Sequence, residues 1–185
     1  MNLIILGPQG SGKGTQAKLL AKKINLKHIS TGQLLRNAAK ESSPKGKLIN
    51  SLLKKGTLIP FETTLEILEP VLKETTKGFI LDGMPRDLRQ AEHLDWFLKK
   101  IKQKVNHVIF ITLSKRSSHA RLLKRAKTEG RSDDTKEAIE KRLETYHKET
   151  IPVIDHYRKQ GLVIKIDGEP DIETIHQSIL SKLKI

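Results

Sequence analysis

The 185-residue chain contains no cysteine. That excludes a disulfide framework and any thiolate metal site, and it suits a reducing cytoplasm as the expected location. Long apolar runs are also missing. None approaches the ~18 residues of a membrane span, so no membrane association is expected. The N-terminus enters an apolar strand-like run at once, without the charged and apolar regions of a signal peptide. Aromatic residues make up only 4% and are not interleaved with basic ones. A dedicated nucleic-acid surface is therefore not expected, although 35 basic against 21 acidic residues give a net charge of +14. Arginine is scarce too, with 9 against 26 lysines. Lysines such as Lys99, Lys100, Lys102 and Lys104 fall where a solvated helical face would carry them.

Hydrophobic residues at 36% and charged residues at 30% suit a folded chain of one domain, residues 1–185. Short apolar runs alternate with helical patterns. Leu3-Ile4-Ile5-Leu6, Lys27-His28-Ile29, Gly78-Phe79-Ile80-Leu81, His107 through Leu113, and Leu162 through Ile166 read as strands. The helical stripe after the first carries Ala17, Leu20, Ala21 and Ile24, and the last helix runs from Ile172 to Leu183. This alternation predicts an α/β three-layer sandwich, with about five parallel strands and helices on both faces. No internal repeat or low-complexity segment is present.

One stretch organises the chain: Gly7-Pro8-Gln9-Gly10-Ser11-Gly12-Lys13-Gly14-Thr15. It lies between the first strand and the first helix, the context a phosphate-binding P-loop requires. Glycines let the backbone turn so that successive N–H groups point at phosphate oxygens. The helix start adds its positive dipole end, and Lys13 adds a mobile cation. Gly14 stands where many such loops carry a magnesium-ligating hydroxyl, and that hydroxyl comes one residue later, as Thr15.

Residues 30–59 read as a small helical excursion between two strands. Ser30 and Gln33 have capping-box spacing, Ser42-Ser43-Pro44 breaks the first helix, Gly56 ends the second, and Pro60 suits the first position of the next. Asp82 ends the third strand, where a carboxylate beside a P-loop organises magnesium through its waters. Arg121 and Arg125 stand one turn apart on a basic helix that Thr128-Glu129-Gly130 interrupts. Asp133-Asp134 opens a long helix with a stripe of Ile139, Leu143, Tyr146, Val153 and Tyr157, in which Pro152 should produce a kink.

Taken together, the chain resembles the adenylate kinase family among the nucleoside monophosphate kinases. The likeness rests on Gly7-x-x-Gly10-x-Gly12-Lys13-Gly14-Thr15, Ile29-Ser30-Thr31-Gly32 with Arg36, Leu81-Asp82-Gly83-x-Pro85-Arg86 with Gln90, Arg121-x-x-x-Arg125, Arg131-x-Asp133-Asp134 and Arg142. It implies reversible phosphoryl transfer from ATP with Mg2+ to AMP, giving two ADP, by a monomer. The donor phosphates would lie on Gly10, Ser11, Gly12, Lys13, Gly14 and Thr15, and Asp82 would reach magnesium through water. Arg121 and the Gly168-Glu169-Pro170 loop would meet the donor adenine. Thr31 and Gln90 would face the acceptor base, Arg36 and Arg86 its phosphate, and Thr57, Leu58, Ile59, Gly83, Met84 and Pro85 would complete its pocket. Lys13, Arg86, Arg125, Arg131 and Arg142 would carry catalysis around the moving phosphoryl group. Six of the nine arginines occupy these positions, which is where planar permanent cations recognise phosphate better than lysine does.

Several positions depart from the family pattern. Gln9 stands where a proline is frequent, Met84 replaces an aromatic, and Asp87 replaces a small polar residue. Five residues separate Arg125 from Arg131, so the lid, about 126–134, is short and has no room for a zinc site. A uridylate–cytidylate kinase and a non-catalytic P-loop nucleotide-binding module remain as alternatives.

Overall fold

The computed structural model describes residues 1–129 and 136–185. Five strands form one parallel sheet: β1 (Leu3–Leu6), β2 (Lys27–Ser30), β3 (Phe79–Asp82), β4 (His107–Thr112) and β5 (Val163–Asp167), in the order β2-β3-β1-β4-β5. A parallel sheet covered on both faces needs strands apolar on both sides, and all four residues of β1 are buried. The period of two sorts them. Leu3 and Ile5 join Ile80, Ile109 and Ile166 under α1 (Lys13–Ile24) and α9 (Ile172–Leu183). Ile4 and Leu6 join Phe79, Leu81 and Val108 under α4 (Phe61–Lys73), α5 (Leu88–Lys100) and α8 (Ile151–Lys159). Each fully buried aliphatic side chain contributes about 1.5–3 kcal/mol. The expected three-layer sandwich is therefore the observed one.

The sheet order positions the site. The chain leaves β1 towards β2 on one side and crosses from β3 over β1 to β4 on the other. At such a reversal the loops diverge and open a crevice at the carboxyl ends of the strands. Asp82 pairs in register with Ile5 on one side and Ser30 on the other. It therefore stands between the loop after β1 and the start of the excursion.

The excursion consists of α2 (Thr31–Ala38) and α3 (Pro44–Lys54), packed on a small cluster of Leu35, Ile49 and Ile59. Ser30 caps α2 by accepting from the Gln33 N–H at 3.4 Å, but the Gln33 side chain does not return to close the box. It pairs instead with Asn37 and Arg36. Pro60 is the N-cap of α4, one residue earlier than its expected helical position. Gly56 has φ +65°, and a Cβ there would lie 2.8 Å from the Ala138 carbonyl oxygen. The end of the excursion is thus seated on α7 (Lys136–Thr145).

The basic helix, α6 (Lys115–Glu129), runs on past Thr128. The opening at Asp133-Asp134 lies outside the described residues. The irregularity expected at Pro152 is a π-helical turn, Tyr146–Thr150, after which Pro152 sits in the first turn of α8. Proline has no N–H to donate, and the wider turn absorbs the missing bond without ending the stripe. Among the described residues, no helix is long and apolar enough to cross a membrane.

Candidate active site

Gly10 and Gly12 have φ of +85° and +84°, and the Ser11 N–H donates to the Pro8 carbonyl at 3.2 Å, closing the turn. Gly12 is the N-cap of α1 and gives no side-chain cap. The first N–H groups of that helix therefore have no capping oxygen, and they point out of the loop with the positive dipole end behind them. Ser11 is fully buried, and its hydroxyl has no partner among the described residues. The Lys13 ammonium donates to the carbonyls of Gly7 and Pro8, each at 2.8 Å. Lys13 as a residue is half-buried, but this tucked position removes water from its charged end. Desolvation is the largest cause lowering its pKa to about 8; Asp82 opposes it, and Arg86, Arg125 and Arg142 add to it. Four charged groups, Asp82 at the end of β3, Arg86 just after it, Arg125 of α6 and Arg142 of α7, therefore act on one ammonium.

Asp82 faces this group from β3. Its Oδ2 would lie 3.4 Å from a Cβ on residue 14, so the glycine leaves open the space where a side chain would stand. His28 Nε2 is 3.7 Å from the same oxygen on the other side. Among the described residues, no group of three His, Cys, Asp or Glu side chains could hold a metal. A lone carboxylate beside a phosphate loop nevertheless suits magnesium, which retains several waters.

Two clefts are lined by further anticipated residues, and the second of them is lined by the loop itself. One is lined by Thr31, Arg36, Thr57, Leu58, Ile59, Gly83, Arg86, Gln90 and Arg142, all anticipated from the sequence, together with Gly32, Leu35, Leu53, Gly56 and Thr64. Thr31 is buried, with a hydroxyl that has no partner among the described residues. Arg86 is held at both ends, its Nε donating to the Gly83 carbonyl at 2.8 Å and its own carbonyl accepting from Thr150 Oγ1 at 2.8 Å. Arg142 Nε donates to Ala138 O at 3.3 Å. Met84, by contrast, is buried in the core under α5, and Pro85 beside it is buried as well; neither lines this cleft.

The other cleft is lined by Gly10, Ser11, Gly12, Thr15 and Arg121, with Gln16, Pro170, Asp171, Ile172, Glu173 and Ile175. Arg121 donates to the carbonyls of Gly168 and Glu169, each at 2.9 Å, and so fixes the loop after β5. Glu169 does not line the cleft itself. Its carboxylate accepts from Ser117 Oγ at 2.7 Å and the Ser114 N–H at 2.9 Å, and these bonds hold it below the usual carboxylate range. Gln16, Thr64 and Thr150 escaped sequence reading. Gln16 sits on the anticipated stripe side of α1 and was detectable; the other two carry no local signal. Arg131 and most of the lid, including residues 130–134, lie outside the described residues.

A P-loop at the sheet reversal, one cleft lined by that loop, a second lined by Arg86 and Arg142, and arginines acting on the loop's lysine define a P-loop phosphotransferase. The adenylate kinase family model matches residues 5–162. The chain is 42% identical to an adenylate kinase of a Cyanothece species, covering 98% of this chain and 96% of the relative. It is 39% identical to adenylate kinase isoenzyme 1 of Rattus norvegicus, covering 98% and 93%. It is likewise 39% identical to the adenylate kinase of Stenotrophomonas maltophilia over the whole of both chains. The chain belongs to the adenylate kinase family, enzymes that transfer a phosphoryl group between ATP and AMP to give two ADP.

Proposed function

We propose that this chain carries out the family's reaction with ATP along the cleft of Arg121 and Pro170, and AMP in the cleft of Thr31 and Gln90. The observation that carries this reading is the cluster around Lys13. Arg86 comes from the segment after β3, Arg125 from α6 and Arg142 from α7, and all three act on the same ammonium. Such a cluster in an otherwise lysine-rich chain suits the meeting point of two phosphate groups.

The donor β and γ phosphates accept from the N–H groups at residues 10–15, with Lys13 bridging the outer oxygens. Arg36 and Arg86 hold the AMP phosphate. One of its oxygens attacks the γ phosphorus in line, the bond to the β–γ bridging oxygen breaks, and ADP leaves from each side. The attacking oxygen is already ionised, so the protein supplies position and charge rather than a base. Arg125, Arg142 and Arg131 take up charge on the transferring group. Asp82 would hold a magnesium ion through water, which would draw charge from the phosphates when bound.

Water at the phosphoryl group would hydrolyse ATP, so the site must close before transfer. The excursion 30–59 and the short lid, about 126–134, are the closing parts of the single domain 1–185. The absence of cysteine supports a cytoplasmic setting.

Assays with ATP, magnesium and each of AMP, UMP, CMP and GMP test the assignment. AMP is expected to give the highest kcat/KM. A higher value with UMP or CMP would replace it with a uridylate–cytidylate kinase. Absence of transfer to all four would leave only a nucleotide-binding module.

A further inference from the structure

We propose that Asp87 is a positioning residue for acceptor-base specificity: it locks the Gln90 amide in one orientation and thereby selects a 6-amino over a 6-oxo purine. The inference rests on the reading of the Thr31–Gln90 cleft as the acceptor-base pocket. Asp87 is the N-cap of α5, and its Oδ1 accepts from the Gln90 backbone N–H at 2.8 Å. That bond is ordinary capping. The second carboxylate oxygen does more. Oδ2 accepts from Gln90 Nε2 at 2.8 Å, while Gln90 Oε1 accepts from the Arg86 N–H at 2.9 Å. Gln90 is only 3% exposed and lines the cleft.

A glutamine amide ordinarily turns over at little cost, because its two ends have the same shape. Here each end faces a partner of one kind only. A carboxylate accepts and never donates, and a backbone N–H donates and never accepts. Turning the amide would set Oε1 against the carboxylate and Nε2 against the Arg86 N–H, so both bonds would become repulsive contacts. A serine or threonine at position 87 has a hydroxyl that can rotate to donate or accept, and it imposes no such order.

Asp87 occupies one of the two donors of the amide, and the Arg86 N–H occupies one of its two acceptor sites. One N–H and one carbonyl lone pair remain, at fixed ends. A 6-aminopurine offers an exocyclic N–H beside a ring nitrogen acceptor. A 6-oxopurine offers a carbonyl acceptor beside a ring N–H along the same edge. Only the first meets the locked amide without turning it. A site whose buried polar groups are left unpaired by the wrong base discriminates more strongly than one that merely fits its shape.

The test compares AMP with inosine monophosphate, which differ only at this edge. Asp87→Ser retains a capping oxygen but not the second acceptor, and Asp87→Asn retains Oδ1 while placing an NH2 against Gln90 Nε2. In both variants the ratio of kcat/KM for AMP over inosine monophosphate is expected to fall about tenfold, with KM for ATP unchanged. Gln90→Ala is the control for the pocket and is expected to lower the ratio at least as far. A ratio unchanged in both Asp87 variants but lowered in Gln90→Ala overturns the lock and leaves the pocket assignment standing. A ratio unchanged in all three overturns both. Equal losses with the two monophosphates, accompanied by a rise in KM for ATP, also overturn the proposal, because a cap that only supports α5 would act in that way.

Discussion

The Thr150 hydroxyl donates to the Arg86 carbonyl at 2.8 Å, joining residues 64 positions apart. Thr150 is buried and ends the π-helical turn before Pro152. The irregular turn thus supplies a side chain that holds the backbone of Arg86, the arginine proposed to bind the acceptor phosphate. Thr150→Val has the same shape but removes this hydrogen bond to the Arg86 carbonyl, which costs about 0.5–1.5 kcal/mol of stability. The expected outcome is a lower melting temperature together with a higher KM for AMP. A variant with wild-type KM and only the stability loss would show that the turn does not position Arg86.

Lys13, proposed to neutralise the outer phosphates, has its ammonium on the Gly7 and Pro8 carbonyls of the loop. Lys13→Met is expected to reduce turnover by about 10²–10³-fold, the scale of losing one transition-state charge contact, while the fold remains intact. The check is single-turnover transfer together with a circular dichroism spectrum. Near-normal turnover in the folded variant would remove Lys13 from the chemistry.

The lowered Lys13 pKa sets a pH dependence. The ammonium is charged below about 8 and neutral above it, mainly because the loop strips its water. Capture of ATP by the free enzyme is therefore expected to weaken as pH rises through about 8. The kcat at saturating ATP holds to higher pH, because bound phosphates raise the Lys13 pKa again. The stability effect has the opposite sign. Between about 8 and about 10.4 the unfolded chain keeps the proton that the folded chain has lost, so this group makes the fold more stable as pH rises. Profiles of kcat/KM for ATP and of kcat, measured separately, check the first; a flat kcat/KM profile across that range would contradict it.

Asp82 faces the space left by Gly14 and acts on the Lys13 ammonium. Asp82→Asn keeps the shape and removes the charge. Activity is expected to fall, and the magnesium concentration for half-maximal rate to rise several-fold, since each coordinated water loses a charged acceptor. Titration of the rate with magnesium decides this, and an unchanged midpoint would count against it.

Gly56 meets α7 at Ala138 with no room for a side chain. Gly56→Val forces a β-branched residue into the left-handed region, costing about 1–2 kcal/mol, and pushes backbone against backbone. The excursion is then expected to seat poorly, with a higher KM for AMP and faster loss of ATP to water. Scattering with a bisubstrate analogue is the direct check: wild type contracts and the variant contracts less. Equal contraction in the two proteins would show that this contact does not limit closure.

Sequence alone determined the strands, the P-loop and the candidate phosphate-binding arginines, because each depends on residues a few positions apart. The unbroken apolar run Leu3-Ile4-Ile5-Leu6, the glycines at 10 and 12, and Asp82 ending a strand are local facts with local physical causes. The order of the strands depends on packing instead. It places Asp82 beside Ile5 and Ser30, and so brings the carboxylate to the loop. Gln33 could be read as the second half of a cap, but nearby Arg36 and Asn37 compete for its side chain, and the folded geometry favours them. Pro152 announced an irregularity without saying that a π-helical turn would absorb it, or that Thr150 would then reach Arg86. Asp87 was visible only as a departure from a pattern; its hold on Gln90, three residues on, depends on the directions the two side chains take at the start of α5. Thr150 and Arg86 lie 64 positions apart, and a contact of that reach is decided only when helices and sheet pack together.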